Sequence, residues 1–393
     1  MKSQVKFIDF YQLVSTQVIS IRVNGVWFFI PYPKLSVQFW LHVLVRFFVG
    51  IFVFIIPPIG QIAYVVKLLA SGNFGIQEIA SSINLILTEL LVSLKLLDLF
   101  SRRNLLIQLF DQLNNKAFYR VTHRNLLENA IKLSRRIFWV LLVGSSLDVF
   151  FHVVVVPGLS GFRTLPVKMD LILIDVNEPP YFYYVCVYQI MYKPTVVVVY
   201  IASQTIPWSL LLFTITQLDI LIDNFKNMEK LMTATKAERR CGEDEAFKEV
   251  FNSFVIHHRA IISFLDTVEA TFGGQFALNL ILISGVICTT GVQFFSIESP
   301  SEDLVGVFWV LAYMQIFILI LFTDCYYGNS VHVKSTDLAT IAYGSPWLKM
   351  PQQLKKNLVV VIARAQRPLQ ITAYNLVPVS LPTFTKVILT TLL

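Results

Sequence analysis

Seven stretches of this chain, each close to the ~20 apolar residues that a bilayer crossing needs, constrain everything else about it. They cover roughly residues 39–59, 76–100, 137–156, 195–221, 272–294, 304–325 and 376–393. Of the 393 residues, 55% are hydrophobic and only 15% charged, where a soluble domain would carry about 25% charge. The chain is therefore read as an all-α membrane protein with seven transmembrane helices, in contact with membrane lipid. Its formal net charge of +7 is no sign of a nucleic-acid partner, because in a membrane protein the placement of Lys and Arg carries the information.

That placement is lopsided. With the N-terminus assigned to the cytoplasm and sides alternating, the cytoplasmic segments 1–38, 101–136, 222–263 and 326–375 hold 25 Lys and Arg, and the outer loops hold 4. The bias predicts an N-terminus inside and a C-terminus outside, the opposite of a rhodopsin-like receptor. Breakers set the expected ends of the spans. Pro57 and Pro58 end the first, Pro157 and Gly158 close the third, and a long loop reaches Pro194 before the fourth. The fourth is expected to kink near Pro207. Tyr181, Phe182, Tyr183 and Tyr184 suit a membrane interface. Segments 101–136 and 222–263 read as charged helices, too polar to cross.

Ionisable residues within the spans need partners or water. By depth, Arg46 and Glu89 are expected to pair, with Lys95 and Asp98 as an i,i+3 pair; a proton or ion relay is the competing reading. Asp148 and His152, at i,i+4, either pack between helices or border a cavity open to the outside. His257 and His258 lie without Cys or clustered carboxylates, so a solvated face is expected there rather than a metal site. The four cysteines, Cys186, Cys241, Cys288 and Cys325, have no CxxC spacing and predict no disulfide framework. No nucleophile elbow, P-loop, dinucleotide fingerprint or HExxH motif occurs. No enzyme activity, cofactor or metal is expected.

A ligand cavity is the more plausible site. The outer halves of four spans offer Ile83, Ile86 and Leu87; Gly144, Leu147 and Phe151; Val196 and Tyr200; and Phe308, Trp309, Ala312 and Tyr313. This mix of apolar and aromatic side chains with a few hydroxyls suits a small, mostly apolar ligand. Core and lipid-facing stripes have the same composition.

The tail is the most specific stretch. The last apolar run, 376–393, carries Pro378, Ser380, Pro382, Thr383 and Lys386, so it packs in a bundle or lines an aqueous path. Before it come Gly328 and Asn329, Lys334 and Ser335, Tyr343, Trp347, then Arg364, Ala365, Gln366, Arg367, Pro368 and Leu369, with Thr372 and Ala373. Together with Pro378, Val379, Ser380, Thr383 and Phe384, this order resembles the C-terminal signature of insect odorant receptors. The similarity is to the variable, odorant-tuning class. The family's obligate co-receptor is longer, with an extended second cytoplasmic loop that 222–263 lacks. Gustatory receptors, the sister family, carry a Thr-Tyr-(apolar)-Gln-Phe motif that is absent here.

The resemblance implies a plasma-membrane, non-selective cation channel gated by small volatile ligands. It implies assembly as a heterotetramer with the co-receptor, in sensory-neuron dendrites. A gustatory-type channel acting without the co-receptor is the alternative. It also implies four regions: a cytoplasmic segment 1–38, a six-helix bundle 39–325 with the odorant cavity, a cytoplasmic anchor 326–375, and a pore-lining helix 376–393. Tyr343, Trp347, Arg364, Gln366, Arg367 and Pro368 would fall in the anchor, and Ser380, Thr383 and Lys386 on the pore helix. Members of the family generally continue past the point where this sequence stops, so a shortened last helix or an incomplete sequence is expected, and no gate residue is carried over.

Overall fold

A computed structural model describes residues 9–26, 36–72, 74–118, 123–159, 161, 163–171, 174–176, 178–297 and 304–392. Its helices are α1 (Ser15–Val23), α2 (Val37–Ser71), α3 (Ile76–Ser101), α4 (Arg103–Leu113), α5 (Arg124–Val155) and α6 (Tyr181–Lys226). They continue as α7 (Met228–Arg239), α8 (Glu243–Phe295), α9 (Leu304–Tyr343), α10 (Gln352–Ala365) and α11 (Leu381–Leu392). Thr372–Ala373 (β1) pairs antiparallel with Val377–Pro378 (β2), directly before α11.

Helices α2, α5, α6, α8 and α9 are long and apolar enough to cross a membrane. Helix α3 is also long enough but carries Glu78, Glu89, Lys95 and Asp98. The centre of the bundle is α6: 89% of its most apolar window is buried, against 6% in α2 and 11% in α5. Helices α1, α5, α8 and α9 pack around it. Outward rows such as Trp40, Phe47, Val140 and Leu147 would be an aggregation surface in water and are the solvent-facing surface in lipid. The segment before the first span does not lie apart, because Phe10, Leu13, Val14, Val18 and Ile21 are buried in the common core. Gln17 of α1 donates to Ser134 of α5 (3.3 Å) and Ser209 of α6 (3.2 Å).

Proline does not end the helices where the sequence suggested. Helix α2 runs through Pro57 and Pro58 because a π segment, Gly50–Ile55, precedes them. The prolines donate no backbone hydrogen bond, which frees carbonyls one turn earlier. Neighbouring helices take these up: Tyr188 donates to Phe52 O, and Ser93 Oγ shares its proton between Phe54 O (3.1 Å) and Glu89 O of its own helix (2.9 Å). In lipid such carbonyls must be satisfied within the protein. Pro194 and Pro207 both lie inside α6, so the helix that holds the fourth span starts at Tyr181 and the aromatic cluster 181–184 forms its first turn. Packing on several sides holds α6 intact against the ~3 kcal/mol that an interior proline costs.

Other boundaries move as well. Helix α9 continues to Tyr343, so the expected division at 325/326 falls in mid-helix. Residues 376–380 belong to the hairpin and the turn after it, and the last helix begins at Leu381. His257 and His258 are buried, not solvated. His257 Nε2 meets Gln217 Oε1 of α6 at 2.8 Å.

Candidate ligand site and pore helix

Two polar clusters lie inside the bundle, and neither has the pairing expected from the sequence. Glu89 of α3 is bound by Lys193 Nζ (2.6 Å) and Tyr192 Oη (3.1 Å) of α6, not by Arg46. Lys95 is fully buried and turns away from Asp98 to donate to Gln204 Oε1 of α6. Asp98 instead pairs with Arg102 at 2.9 Å. Gln204 donates to Asp324 Oδ1 of α9 (2.9 Å), which also accepts from Trp208 Nε1 (2.5 Å). Asn279 of α8 donates to Asp324 Oδ2 at 2.6 Å, and it opens the π segment Asn279–Ile283. Four helices are thereby fastened at one level by Lys95, Gln204, Asp324 and Asn279. A buried charge without such partners would cost several kcal/mol.

An apolar, aromatic cluster abuts this network where α3, α6 and α9 converge. Lys95 Nζ lies over the Tyr200 ring, 5.0 Å from its centroid. Tyr200 is 6.3 Å from Phe317, and Phe317 is 5.0 Å from Tyr313 (ring centroids). Tyr313 Oη meets Thr88 Oγ1 at 2.5 Å. Ile86 and Val196 are buried, and Leu87 is half-buried against the same core. Of the twelve candidate ligand residues, Val196 and Tyr200 belong to the common core, Leu87 and Tyr313 pack against it, and Ile86 is buried without joining it. Ile83 and Ala312 are half-buried. Trp309 packs on Phe151 (5.2 Å) and Phe308 (5.6 Å). Phe151, Phe308, Gly144 and Leu147 are exposed on the outside of the chain. Phe317 and Thr88 join the cluster unannounced; Phe317 lies one turn beyond Tyr313, a spacing that could have found it.

At the opposite end lies the segment expected to form an anchor, part of it tied by short bonds. Lys334 of α9 reaches Asp219 of α6 at 2.5 Å, and Ser335 Oγ accepts from Leu369 N at 2.9 Å. Tyr343 and Trp347 lie 6.2 Å apart between ring centroids. Arg364 Nη1 donates to Arg367 O (3.2 Å). Gln366, Arg367 and Pro368 are exposed. On α10, Leu354, Leu358, Val361 and Ala365 face inward, while Val359 (65% exposed) and Val360 (69%) are left uncovered.

The last helix joins the bundle through the hairpin. Glu269 accepts from Thr372 N (3.0 Å), and Arg102 lies over the Tyr374 ring. Gly328 of α9 explains the Gly-Asn pair in the tail: a Cβ there would come within 2.2 Å of Val379 O. In α11, Phe384 packs on Phe322 (5.4 Å), and Val387 and Ile388 also face the bundle. Ser380 and Thr383 bond to each other (3.1 Å), and Thr383 donates to Pro378 O (2.7 Å). Their hydroxyls are thus engaged with each other and with the hairpin and do not present a free polar face. Lys386 is exposed together with Thr385, Leu389 and Thr390. The two threonines complete a polar stripe that the sequence reading did not single out.

A protein-family model described as "7tm Odorant receptor" matches residues 75–392. Odorant receptor 10 of Aedes albopictus is 23% identical over 230 residues, 58% of each chain. Putative odorant receptor 92a of Drosophila melanogaster is 28% identical over 145 residues, 37% of this chain and 34% of that one. The chain thus matches a little over half of the first relative's length and about a third of the second's. In fold, the olfactory receptor OR5 from Machilis hrabei, solved in complex with eugenol, superposes with a TM-score of 0.76 over 98% of both chains, at 15% identity. A second structure of the same receptor superposes with a TM-score of 0.77, over 98% of this chain and 97% of that one.

Proposed function

This chain belongs to the seven-helix odorant receptor family, and from that premise we propose that it is an odorant-tuning subunit of a ligand-gated, non-selective cation channel. It assembles with the family's co-receptor as a heterotetramer, with its N-terminus cytoplasmic and its C-terminus outside. Small, mostly apolar volatile ligands enter the α3–α6–α9 cluster, and a receptor of the same fold was solved in complex with one small molecule, eugenol. The observation that carries the reading is α11. One face is packed against the bundle, and the other leaves Thr385, Lys386 and Thr390 uncovered. An uncovered lysine on such a helix is costly against lipid and fits an aqueous pathway shared with other subunits.

The uncovered Val359 and Val360 of α10, beside Gln366, Arg367 and Pro368, supply the assembly surface. Ligand binding must favour the open arrangement differentially, or it could not gate. Co-expression with an insect co-receptor and current recording across a chemically diverse odorant panel tests this. Odorant-evoked cation currents that need both subunits are expected. Currents from this chain alone would favour a gustatory-type channel, and silence from a surface-delivered complex would refute the proposal.

A further inference from the structure

Thr88, Tyr313 and Tyr200 are the hydroxyls of the apolar cluster, and their protons can be assigned. Thr88 Oγ1 donates to Asn84 O at 2.7 Å, which commits its only proton. The 2.5 Å contact between Thr88 and Tyr313 must then carry the Tyr313 proton. Tyr200 differs: it is 6% exposed, and its hydroxyl has no hydrogen-bond partner. A buried donor left unsatisfied costs about 1–3 kcal/mol, and in native proteins such groups call for an explanation such as a ligand.

We infer that the ligand of this site is a small apolar molecule with a hydrogen-bond acceptor, a carbonyl or ester oxygen, received by the Tyr200 hydroxyl. The inference rests on the reading that the α3–α6–α9 cluster is the odorant site. Lys95 strengthens the hydroxyl as a donor only indirectly, since its ammonium sits over the ring at 5.0 Å and withdraws electron density from it. Phe317, Val196 and Tyr313 supply the apolar walls. Two other buried side-chain atoms near this network lack a partner: Asn279 Oδ1 of α8, an amide acceptor, and Glu89 Oε2 of α3. Both can only accept, and the Glu89 carboxylate is already held by Lys193 and Tyr192. Orphaned donors are rarer in folded proteins than under-used acceptors, so Tyr200 makes the stronger demand.

The test uses the complex with co-receptor and a panel of methyl ketones, aldehydes and acetate esters. Each is paired with the alkane of matching chain length, in which a methylene replaces the carbonyl group and, in the esters, a second one replaces the ester oxygen, and matched alcohols are included. Dose–response curves are recorded for the unaltered chain, Tyr200→Phe, Glu89→Gln and Val196→Trp. Acceptor-bearing compounds should be the more potent member of each pair. Tyr200→Phe should raise their half-maximal concentration roughly two- to tenfold, the span of a net hydrogen bond, and leave the hydrocarbons unchanged. Val196→Trp should suppress both members.

If Val196→Trp suppresses responses but Tyr200→Phe leaves the carbonyl preference intact, the site stands and the acceptor inference fails. The same conclusion follows if alcohols are preferred and Glu89→Gln removes that preference. If neither Val196→Trp nor Tyr200→Phe alters any response, the ligand binds elsewhere and both readings fail.

Discussion

The buried Lys95 is the residue whose surroundings the chain most visibly organises. Its ammonium is compensated by Gln204, Asp324 and the Tyr200 ring. Breaking a buried ionic network by removing one partner typically costs about 3–5 kcal/mol. Asp324→Ala should therefore abolish surface delivery, read by labelling of intact cells. The paired change Lys95→Met with Asp324→Leu should restore part of it, because no uncompensated charge then remains. Gly328 makes a second, steric case. Gly328→Ala places a methyl against Val379 O, a backbone atom that cannot rotate away. It should abolish evoked current or folding, whereas Gly291→Ala, with open space around its Cβ, should match the parent.

Depth arguments from the sequence placed Glu89 among groups needing a cationic partner, and it has one. The partner was misassigned because Lys193 precedes Pro194 and read as part of the outer loop. With α6 extended to Tyr181, Lys193 becomes a buried span residue, 7% exposed. This also removes one of the few basic residues counted outside, so the charge bias for a cytoplasmic N-terminus sharpens.

At the scale of elements, apolar runs located the five helices that are long and apolar enough to cross a membrane, but proline was a poor guide to where they end. The reason is tertiary: a carbonyl freed by Pro57 or Pro58 needs only a donor from a neighbouring helix, and α3 and α6 provide Ser93 and Tyr188. No single-chain pattern announces such a donor. Ser93→Ala should lower the thermal stability of the purified complex by an amount equivalent to about 1 kcal/mol. Tyr188→Phe should do the same, and the two together should leave α2 poorly supported at its π segment. The tail was more legible, because its polar residues are dense and ordered. Even there, the Ser380 and Thr383 hydroxyls bond each other and Pro378 O, and the uncovered face of α11 is Thr385, Lys386, Leu389 and Thr390. A helical projection counted from Leu381, rather than from Leu376, would have found it.

For the molecule as a whole, an enclosed α6 and outward apolar faces on α2 and α5 describe a bundle with lipid on one side and uncovered polar and apolar patches elsewhere. Those patches, on α10 and α11, are where other subunits would sit. A tag at Met1 should be reachable only after permeabilisation, and labelling on intact cells would reverse the orientation.

The most direct test of the central claim is the reversal of charge at Lys386 in the co-expressed channel, recorded under asymmetric cation gradients. If α11 lines the conduction path, Lys386→Glu should raise single-channel cation conductance or shift relative cation permeability, with surface delivery and odorant ranking unchanged. Unaltered conductance and permeability in a channel that assembles and responds normally would contradict a pore-lining α11.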